Sequence, residues 1–277
     1  MFSRTSFFFH LYFMTNFEQF KFAIPYWRKA WVFIFQNKLG YYFLFPLIIT
    51  AILYFSSFFL IDTLVDWLNA ELLAFFGLEN ELNASSGENF FPKLVHYLIT
   101  IFGWLAGLII FYKTSKYATL ILMSPVMSAL SSKTDEIITG KKSTFSAEEL
   151  IKDIIRGSAL SIRNFFLELG INTALFIINV SIAFIFPPLD IIISPMSVIA
   201  SFLVSAYFFG FAAIDYTLEN RRYTFRKSIN FMRANKGLAI GNGTFYAILF
   251  AIPVFGVTLS TILSTVAGTL MVNAKDV

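Results

Sequence analysis

Residues 41–61 read YYFLFPLIITAILYFSSFFLI and carry no charged side chain. About 20 consecutive apolar residues are what an α-helix needs to cross the hydrocarbon core of a bilayer. Pro46 falls in the first turns of the predicted helix, where a missing backbone N–H is tolerated. The apolar pattern continues at helical spacing beyond Asp62, so we predict a long helix that leaves the membrane near Asp62 and becomes amphipathic.

The composition of the whole chain agrees with that stretch. Of its 277 residues, 57% are apolar and 14% are charged, whereas soluble proteins have roughly 45–50% and about 25%. A soluble sphere of this size could not hide so much apolar surface, and a disordered chain would be more highly charged. We therefore predict an all-α integral membrane protein with one membrane domain over residues 1–277. It combines transmembrane helices, re-entrant helical hairpins and interfacial amphipathic helices.

Further apolar stretches place the remaining membrane segments. Spans are predicted at residues 94–112, 171–186 and 191–214. The second of these is short for a full crossing. Residues 238–272 are too long for one span and contain Pro253 and Gly256 near their middle. Because backbone groups released at such a break must be buried in protein or line water, we predict a re-entrant helical hairpin there.

A polar segment separates the spans at 94–112 and 171–186. Pro125 is expected to bend or end the helix before it, and residues 131–146 are rich in turn-forming residues. Ser146 with Glu149 three residues later has the pattern of a capping box. We expect an amphipathic helix over residues 146–169, lying at the membrane interface or against another protomer.

The distribution of charge predicts the orientation in the membrane. Acidic residues dominate residues 62–96, while Lys and Arg are concentrated in residues 113–163 and 221–236. The positive-inside rule places both basic segments in the cytoplasm. With the predicted spans, both termini then also lie in the cytoplasm.

The first residues need a separate interpretation. Residues 1–13 carry Arg4 before an apolar run, as a signal peptide does, but no small-residue cleavage site follows. Met14 offers a second start. We favour a start-site choice over a functional leader for residues 1–13.

The sequence gives little support for an enzymatic function. The chain has no Cys and only two His, His10 and His96, so thiolate metal sites and His-rich metal centres are excluded. Motifs of zinc proteases, nucleotide-binding proteins and serine hydrolases are missing. We expect no enzyme activity, no cofactor and no metal. Most basic residues flank apolar spans, which favours anionic lipid headgroups over nucleic acid as a partner.

Two lysines close to the membrane are candidates for a pore. Lys113 and Lys116 lie one helical turn apart, just beyond the span at 94–112. They could draw an anion into a pore, or their side chains could extend to the lipid headgroups. The sequence leaves both interpretations open.

A basic segment before the last apolar stretch is a second candidate. Residues 221–237 read RRYTFRKSINFMRANKG and include Arg226 and Lys227. The segment fits either an interfacial helix on an anionic leaflet or an electropositive vestibule that concentrates an anion. The helix that follows contains Gly241, Asn242 and Gly243. These glycines permit either close approach of an anion to the backbone or tight helix packing.

Four segments carry a resemblance to a known family. They are NKLGYYFLFPLI (37–48), LILMSPVMSALSSKTDEIITGK (120–141), AAIDYTLENRRYTFRKSINFMRANKGLAIGNG (212–243) and AIPVFGVTLSTILSTVAGTLM (251–271). The third is the strongest match, with an Asp-Tyr pair, a basic stretch, a Phe with flanking Arg and a Gly-rich entry. In this order the segments resemble the CysZ family of bacterial sulfate permeases and their etoposide-induced-protein relatives.

The resemblance implies full spans mixed with hemi-penetrant hairpins, homo-oligomers, and sulfate passage across the bacterial inner membrane for cysteine synthesis. In the family, arginines at the start of the first long helix are thought to contact sulfate. The matching positions here are Gly40 and Tyr41, and Lys38 is the nearest cation. Tyr41 can donate one hydrogen bond but cannot supply a guanidinium fork. The fold is therefore implied more strongly than the substrate.

Two function classes follow. The first is a channel-like or secondary permease for a small anion, with sulfate first. Since the sequence has no ATP-binding motif, a gradient or a partner would have to drive it. The second is a membrane scaffold or assembly factor of the same fold that moves no solute. A sulfur-source requirement after gene deletion would favour the first.

Overall fold

The computed structural model describes residues 14–78, 90–141, 147–252 and 255–274. They form eight α-helices: α1 (Asn16–Gln36), α2 (Leu44–Phe75), α3 (Phe90–Thr139), α4 (Ala147–Ile185), α5 (Pro187–Asn220), α6 (Phe225–Ala234), α7 (Lys236–Phe250) and α8 (Phe255–Val272). A 3₁₀ helix, Leu39–Phe43, lies between α1 and α2. Within the same residues, five segments are long and apolar enough to cross a membrane: Leu39–Phe75, Phe90–Phe111, Ile155–Ile185, Pro187–Asn220 and Phe255–Val272. The predicted all-α integral membrane fold is confirmed, and α2 is the long helix expected beyond residue 61.

No element was predicted over the residues of helix α1. Thr15 caps it, because the Glu18 N–H donates to Thr15 Oγ1 at 3.3 Å and the Thr15 N–H donates to the Glu18 carboxylate at 2.7 Å. This capping box supplies partners for backbone groups that the first turn leaves unpaired. The helix continues through Pro25. The Thr-x-x-Glu pattern was the sequence signal for this helix.

The chain divides into two compact units, Met1–Ile48 with Thr119–Val277, and Ile49–Ala118. Within the second unit, α2 and α3 pack through small residues. A Cβ added to Gly103 would lie 3.0 Å from the Val65 side chain, and one added to Gly107 would lie 2.8 Å from Ile61. Such close approach is typical of packed transmembrane helices. The single membrane domain stays a prediction.

Within the first unit, α8 is surrounded by protein. Of its residues, 89% are buried, and it packs against α1, α5 and α7. Four small residues of α8, which permit close helix packing, are all buried: Ser260, Ser264, Ala267 and Gly268. By contrast, only 6% of the most apolar window of α4 is buried. The apolar surface available to lipid therefore comes from helices such as α4, although α8 is itself apolar enough to span.

Helices α5 and α7 approach each other at two glycines. A Cβ added to Gly243 would lie 1.6 Å from the Ala206 carbonyl oxygen, and one added to Gly210 would lie 1.8 Å from that of Ala239. No other residue type fits without separating the helices. The contact therefore sets α5 directly against the backbone of α7.

The predicted polar connection after Pro125 is wrong over much of its length. Helix α3 continues through Pro125, and residues 131–139 are helical. Their hydroxyl groups find partners inside the protein, as when Thr134 Oγ1 donates to the Leu130 carbonyl at 2.8 Å. The helix ends before Gly140, whose φ of +69° is the left-handed conformation that favours glycine after a helix.

The predicted boundary between the helix at 146–169 and the span at 171–186 is also wrong. Helix α4 is continuous through Gly170, where an interior glycine costs only about 1 kcal/mol relative to alanine. Its candidate span, Ile155–Ile185, has 31 residues. This segment is therefore long enough for a full crossing.

The last apolar stretch forms two helices, as predicted. Helix α7 ends at Phe250 and α8 begins at Phe255. Gly256 lies against the end of α7, where an added Cβ would be 2.0 Å from the Leu249 carbonyl oxygen. The re-entrant path of this hairpin stays a prediction. The leader at 1–13, Ser146 of the predicted capping box and Pro253 lie outside the described residues.

Candidate functional site

Three buried hydroxyl groups join α3, α5 and α8 in the first unit. The Oγ atoms of Ser131, Thr217 and Thr269 lie 3.0–3.1 Å from one another, and all three residues are fully buried. Buried hydroxyls are costly unless they are paired. The contact therefore favours one register of these helices over others.

A buried charge cluster lies beside these hydroxyls. We call Arg156, Asp215, Glu219 and Ser228 the Arg156 cluster. Arg156 donates to both carboxylate oxygens of Asp215 at 3.2 and 3.0 Å, to Glu219 Oε2 at 3.3 Å and to Ser228 Oγ at 2.5 Å. Asp215 and Glu219 are 3% and 2% exposed. One guanidinium thus compensates two buried carboxylates, and it also links α4, α5 and α6.

The Arg156 cluster was missed by the sequence reasoning. Its members are separated by 59 to 72 residues from Arg156, so no local motif contains them. The available signal was weaker: Asp215 and Glu219 are four residues apart and therefore share one helix face. That spacing alone does not identify the cation opposite them.

Helix α6 carries the predicted basic residues on its exposed side. Arg226 and Lys227 are exposed, whereas Met232 is fully buried. Lys227 Nζ lies 4.2 Å from the centre of the Tyr223 ring, a cation–π contact that leaves the ammonium group at the surface. The helix is amphipathic, as both the interfacial and the vestibule interpretations require.

Gly241, Asn242 and Gly243 lie buried in α7. Asn242 Oδ1 accepts a hydrogen bond from Trp27 Nε1 at 2.9 Å, and its Nδ2 donates to the Ser264 carbonyl at 3.2 Å. A Cβ added to Gly241 would meet α1 at 2.6 Å, and Gly243 meets α5 as described above. Helix packing accounts for all three residues, and a role in anion binding stays a prediction.

Replacing Trp27 by Phe is expected to lower the free energy of unfolding by about 1–3 kcal/mol, because Asn242 Oδ1 would be buried without its donor. Denaturant unfolding of the purified protein in detergent measures the loss. Trp31→Phe is the matched control, since Trp31 lies on the same helix and is 46% exposed. Equal losses in the two variants would contradict the expectation.

The 3₁₀ helix and its cap carry three further candidates. Lys38 has a φ of +57°, and the space around Gly40 is open, with no atom within 4 Å of an added Cβ. Tyr41 is 53% exposed, and its ring stacks on Tyr42 with the centroids 4.5 Å apart. In the part of the chain that the structure describes, no hydrogen bond or ring contact joins these residues to the basic residues of α6. The two groups of candidates are therefore not brought into contact.

The remaining pore candidates are Lys113, Lys116, Pro253 and Gly256. Lys113 and Lys116 lie inside the continuous helix α3, but their side chains are outside the described residues, as is Pro253. Gly256 lies at the hairpin break and packs on α7. A role for these four residues in a pore stays a prediction.

Comparison with protein families identifies the chain's relatives. A family model described as sulfate transporter CysZ/etoposide-induced protein 2.4 matches residues 26–259. The matched range includes the Arg156 cluster, helix α6 and the start of α8. No curated protein matches the chain. Since the family model covers most of the 277 residues, the chain belongs to the sulfate transporter CysZ/etoposide-induced protein 2.4 family.

Proposed function

We propose that the protein is a permease, channel-like or driven by a gradient, for a small inorganic anion, with sulfate as the first candidate. The observation that carries the proposal is the family membership, because the family description names a sulfate transporter. The five apolar segments of the described chain and the exposed cations of α6 support it.

In this proposal, the basic residues of α6 line a vestibule that attracts the anion. Arg226 and Lys227 are exposed, so their charges can raise the local concentration of an anion before it enters the protein. Lys38, Gly40 and Tyr41 would contact the solute at the start of the first span. Gly241, Asn242 and Gly243 are further proposed binding residues. The residues proposed for a pore or vestibule are Lys113, Lys116, Pro253 and Gly256.

The proposal also covers the location, the orientation and the partners of the protein. We place it in the bacterial inner membrane with both termini in the cytoplasm, in contact with anionic headgroups and with further copies of itself. The exposed apolar side chains of α2, α3 and α4 are suited to lipid or to another protomer.

Uptake of radiolabelled sulfate into proteoliposomes tests the proposal. Saturable uptake that depends on the protein and is absent from empty liposomes is the expected result. No uptake, in a sample shown to be folded, would overturn sulfate as the substrate. The same vesicles can then be tested with other small oxyanions.

Replacing Arg226 and Lys227 together by Gln is expected to lower anion uptake by about tenfold, because fields of this kind raise association rates by about 10–10³. Initial uptake rates at low ionic strength measure the effect. Lys133→Gln is the control, since Lys133 is an exposed cation that pairs with Glu136 at 3.2 Å. Unchanged uptake in the double variant would count against the vestibule.

A second candidate function is a membrane scaffold or assembly factor that moves no solute. The observation that favours it is the exposed Tyr41 beside Gly40, where the resemblance would place arginines. The scaffold predicts stable complexes with other proteins and no sulfur-source requirement after gene deletion. A deletion strain that needs reduced sulfur would exclude it as the sole function.

A further inference from the structure

Helix α1 is held in the first unit by one of its faces. Ala23 and Ala30 are fully buried, and a Cβ added to Gly241 of α7 would lie 2.6 Å from the Ala23 Cβ. Trp27 on the same face donates its hydrogen bond to Asn242. This face packs on α7 and α8, whereas the residues on the opposite side of α1 are exposed.

The exposed side of α1 combines large apolar residues with basic ones. They recur every three or four positions and therefore lie along one stripe of the helix: Phe17, Lys21, Ile24, Arg28, Trp31 and Phe35. We call this stripe the outer face of α1. Its four apolar side chains are 41–64% exposed. A contiguous row of exposed apolar side chains marks an interaction surface.

The cations on and beside the outer face are not neutralised by the protein. Among the residues that the structure describes, the ion pairs involve Lys133 and Arg156 and none of the cations of α1, namely Lys21, Arg28 and Lys29. Lys21 Nζ instead lies 4.4 Å from the centre of the Phe17 ring. The sequence of α1 contains a single carboxylate, Glu18, which takes part in the capping box. The outer face therefore carries a net positive charge.

A membrane surface fits this combination of side chains. Helix α1 is not among the candidate spans of the described residues, but the span Leu39–Phe75 begins three residues after α1 ends, so the helix is tethered close to the bilayer. Helices that pair large apolar side chains with Lys and Arg bind at the interface of anionic membranes. Trp31 and Phe35, at the end of α1 next to the span, have ring centroids 4.9 Å apart, and aromatic residues are enriched at membrane interfaces.

We infer that the outer face of α1 binds negatively charged phospholipids, with its apolar side chains among the acyl chains and with Lys21 and Arg28 beside the headgroup phosphates. Long basic side chains carry their charge from an apolar surface to the headgroups, and each one strengthens binding to an anionic leaflet. The bound lipid would anchor the helix that precedes the first span. The inference goes beyond the proposed function, which assigns no role to α1.

Quenching of tryptophan fluorescence by brominated acyl chains tests the contact between the outer face and lipid. The full-length protein is reconstituted in phosphatidylglycerol vesicles with and without bromine on the acyl chains. Trp31 is 46% exposed on the outer face, whereas Trp27 is 7% exposed on the packed face. Trp31→Phe should therefore remove a larger part of the quenched emission than Trp27→Phe does. If Trp31→Phe leaves the quenched emission unchanged, the outer face does not contact lipid and the inference is overturned.

Titration with lipid in a maltoside detergent tests the role of the charges. The quantity measured is the phosphatidylglycerol concentration that gives half of the rise in thermal unfolding temperature, with phosphatidylcholine as the reference lipid. Replacing Lys21 and Arg28 together by Gln should raise this concentration by about fivefold for each cation removed, since a basic residue near an anionic surface strengthens binding by about that factor. The control is Lys133→Gln with Lys141→Gln, which removes two exposed cations from the same unit.

The outcomes separate a lipid surface from the alternatives. Equal shifts in the two double variants would show an effect of total charge and would overturn the inference. If the outer face packs against a second copy of the chain, Trp31→Glu lowers the molar mass measured by light scattering while Trp31→Phe leaves lipid quenching unchanged, which also overturns it. None of these measurements requires sulfate uptake, so failure of the permease proposal remains separate.

Discussion

Replacing Arg156 by Met is expected to lower the free energy of unfolding by about 3–5 kcal/mol, the usual loss when one partner of a buried ion pair is removed. The reason is that Asp215 and Glu219, which are 3% and 2% exposed, would be left without their guanidinium. Moving an ionised carboxylate from water into the protein interior is unfavourable unless it is paired. Denaturant unfolding in detergent, followed by tryptophan fluorescence, measures the loss.

Two further variants serve as comparisons for Arg156→Met, one at an exposed ion pair and one at the Arg156 cluster itself. Lys133→Met breaks the Lys133–Glu136 pair, whose side chains are 46% and 27% exposed, and it should cost less than about 1 kcal/mol. Replacing Arg156, Asp215 and Glu219 together by apolar residues should recover much of the loss, because buried ion pairs are often matched in stability by apolar groups of similar volume. If Arg156→Met is as mild as Lys133→Met, the Arg156 cluster does not stabilise the fold as described.

Replacing Gly243 by Ala is expected to lower the free energy of unfolding by about 3 kcal/mol or more, the largest usual effect of overpacking. The added Cβ would lie 1.6 Å from the Ala206 carbonyl oxygen, and backbone atoms cannot move aside as a flexible side chain can. The α5–α7 contact must therefore open. Thermal unfolding and the yield of folded protein after extraction both report the effect.

Gly170→Ala is the matched control, with an effect of opposite sign. Gly170 lies inside α4 with no atom within 4 Å of an added Cβ. Alanine there should stabilise the helix by about 0.8–1 kcal/mol through backbone propensity. Similar losses in Gly170→Ala and Gly243→Ala would show that glycine flexibility, and not close helix approach, explains the Gly243 result.

The membrane class and most helices could be predicted from sequence because they depend on local composition. An uncharged run such as residues 41–61 has few alternatives in any tertiary context. The hairpin break near Gly256 was predictable for the same reason. The basic residues Arg226 and Lys227 lie on the exposed side of helix α6, which is compatible with both interpretations of this segment.

The helix ends and the buried polar groups could not be predicted in this way. Residues 131–139 contain side chains that are common in turns. In the folded protein the hydroxyl groups of these side chains have partners, some of them far away in the sequence, which a local pattern does not show. Ser131, for example, pairs with Thr217 and Thr269 at 3.1 and 3.0 Å, which lie 86 and 138 residues away. Tertiary contacts of this kind override local propensity.

The burial of α8 has a consequence for membrane insertion during synthesis. Its packing partners α1, α5 and α7 all precede it in the chain, so they leave the ribosome before the helix that fills the space between them. Until α8 arrives, Ser131 and Thr217 have each other but lack Thr269, and the apolar faces that α1, α5 and α7 turn toward α8 stay uncovered. A chain stopped before α8 should therefore be retained by insertion chaperones or degraded by membrane proteases, although it would already contain four of the five candidate spans in the described residues.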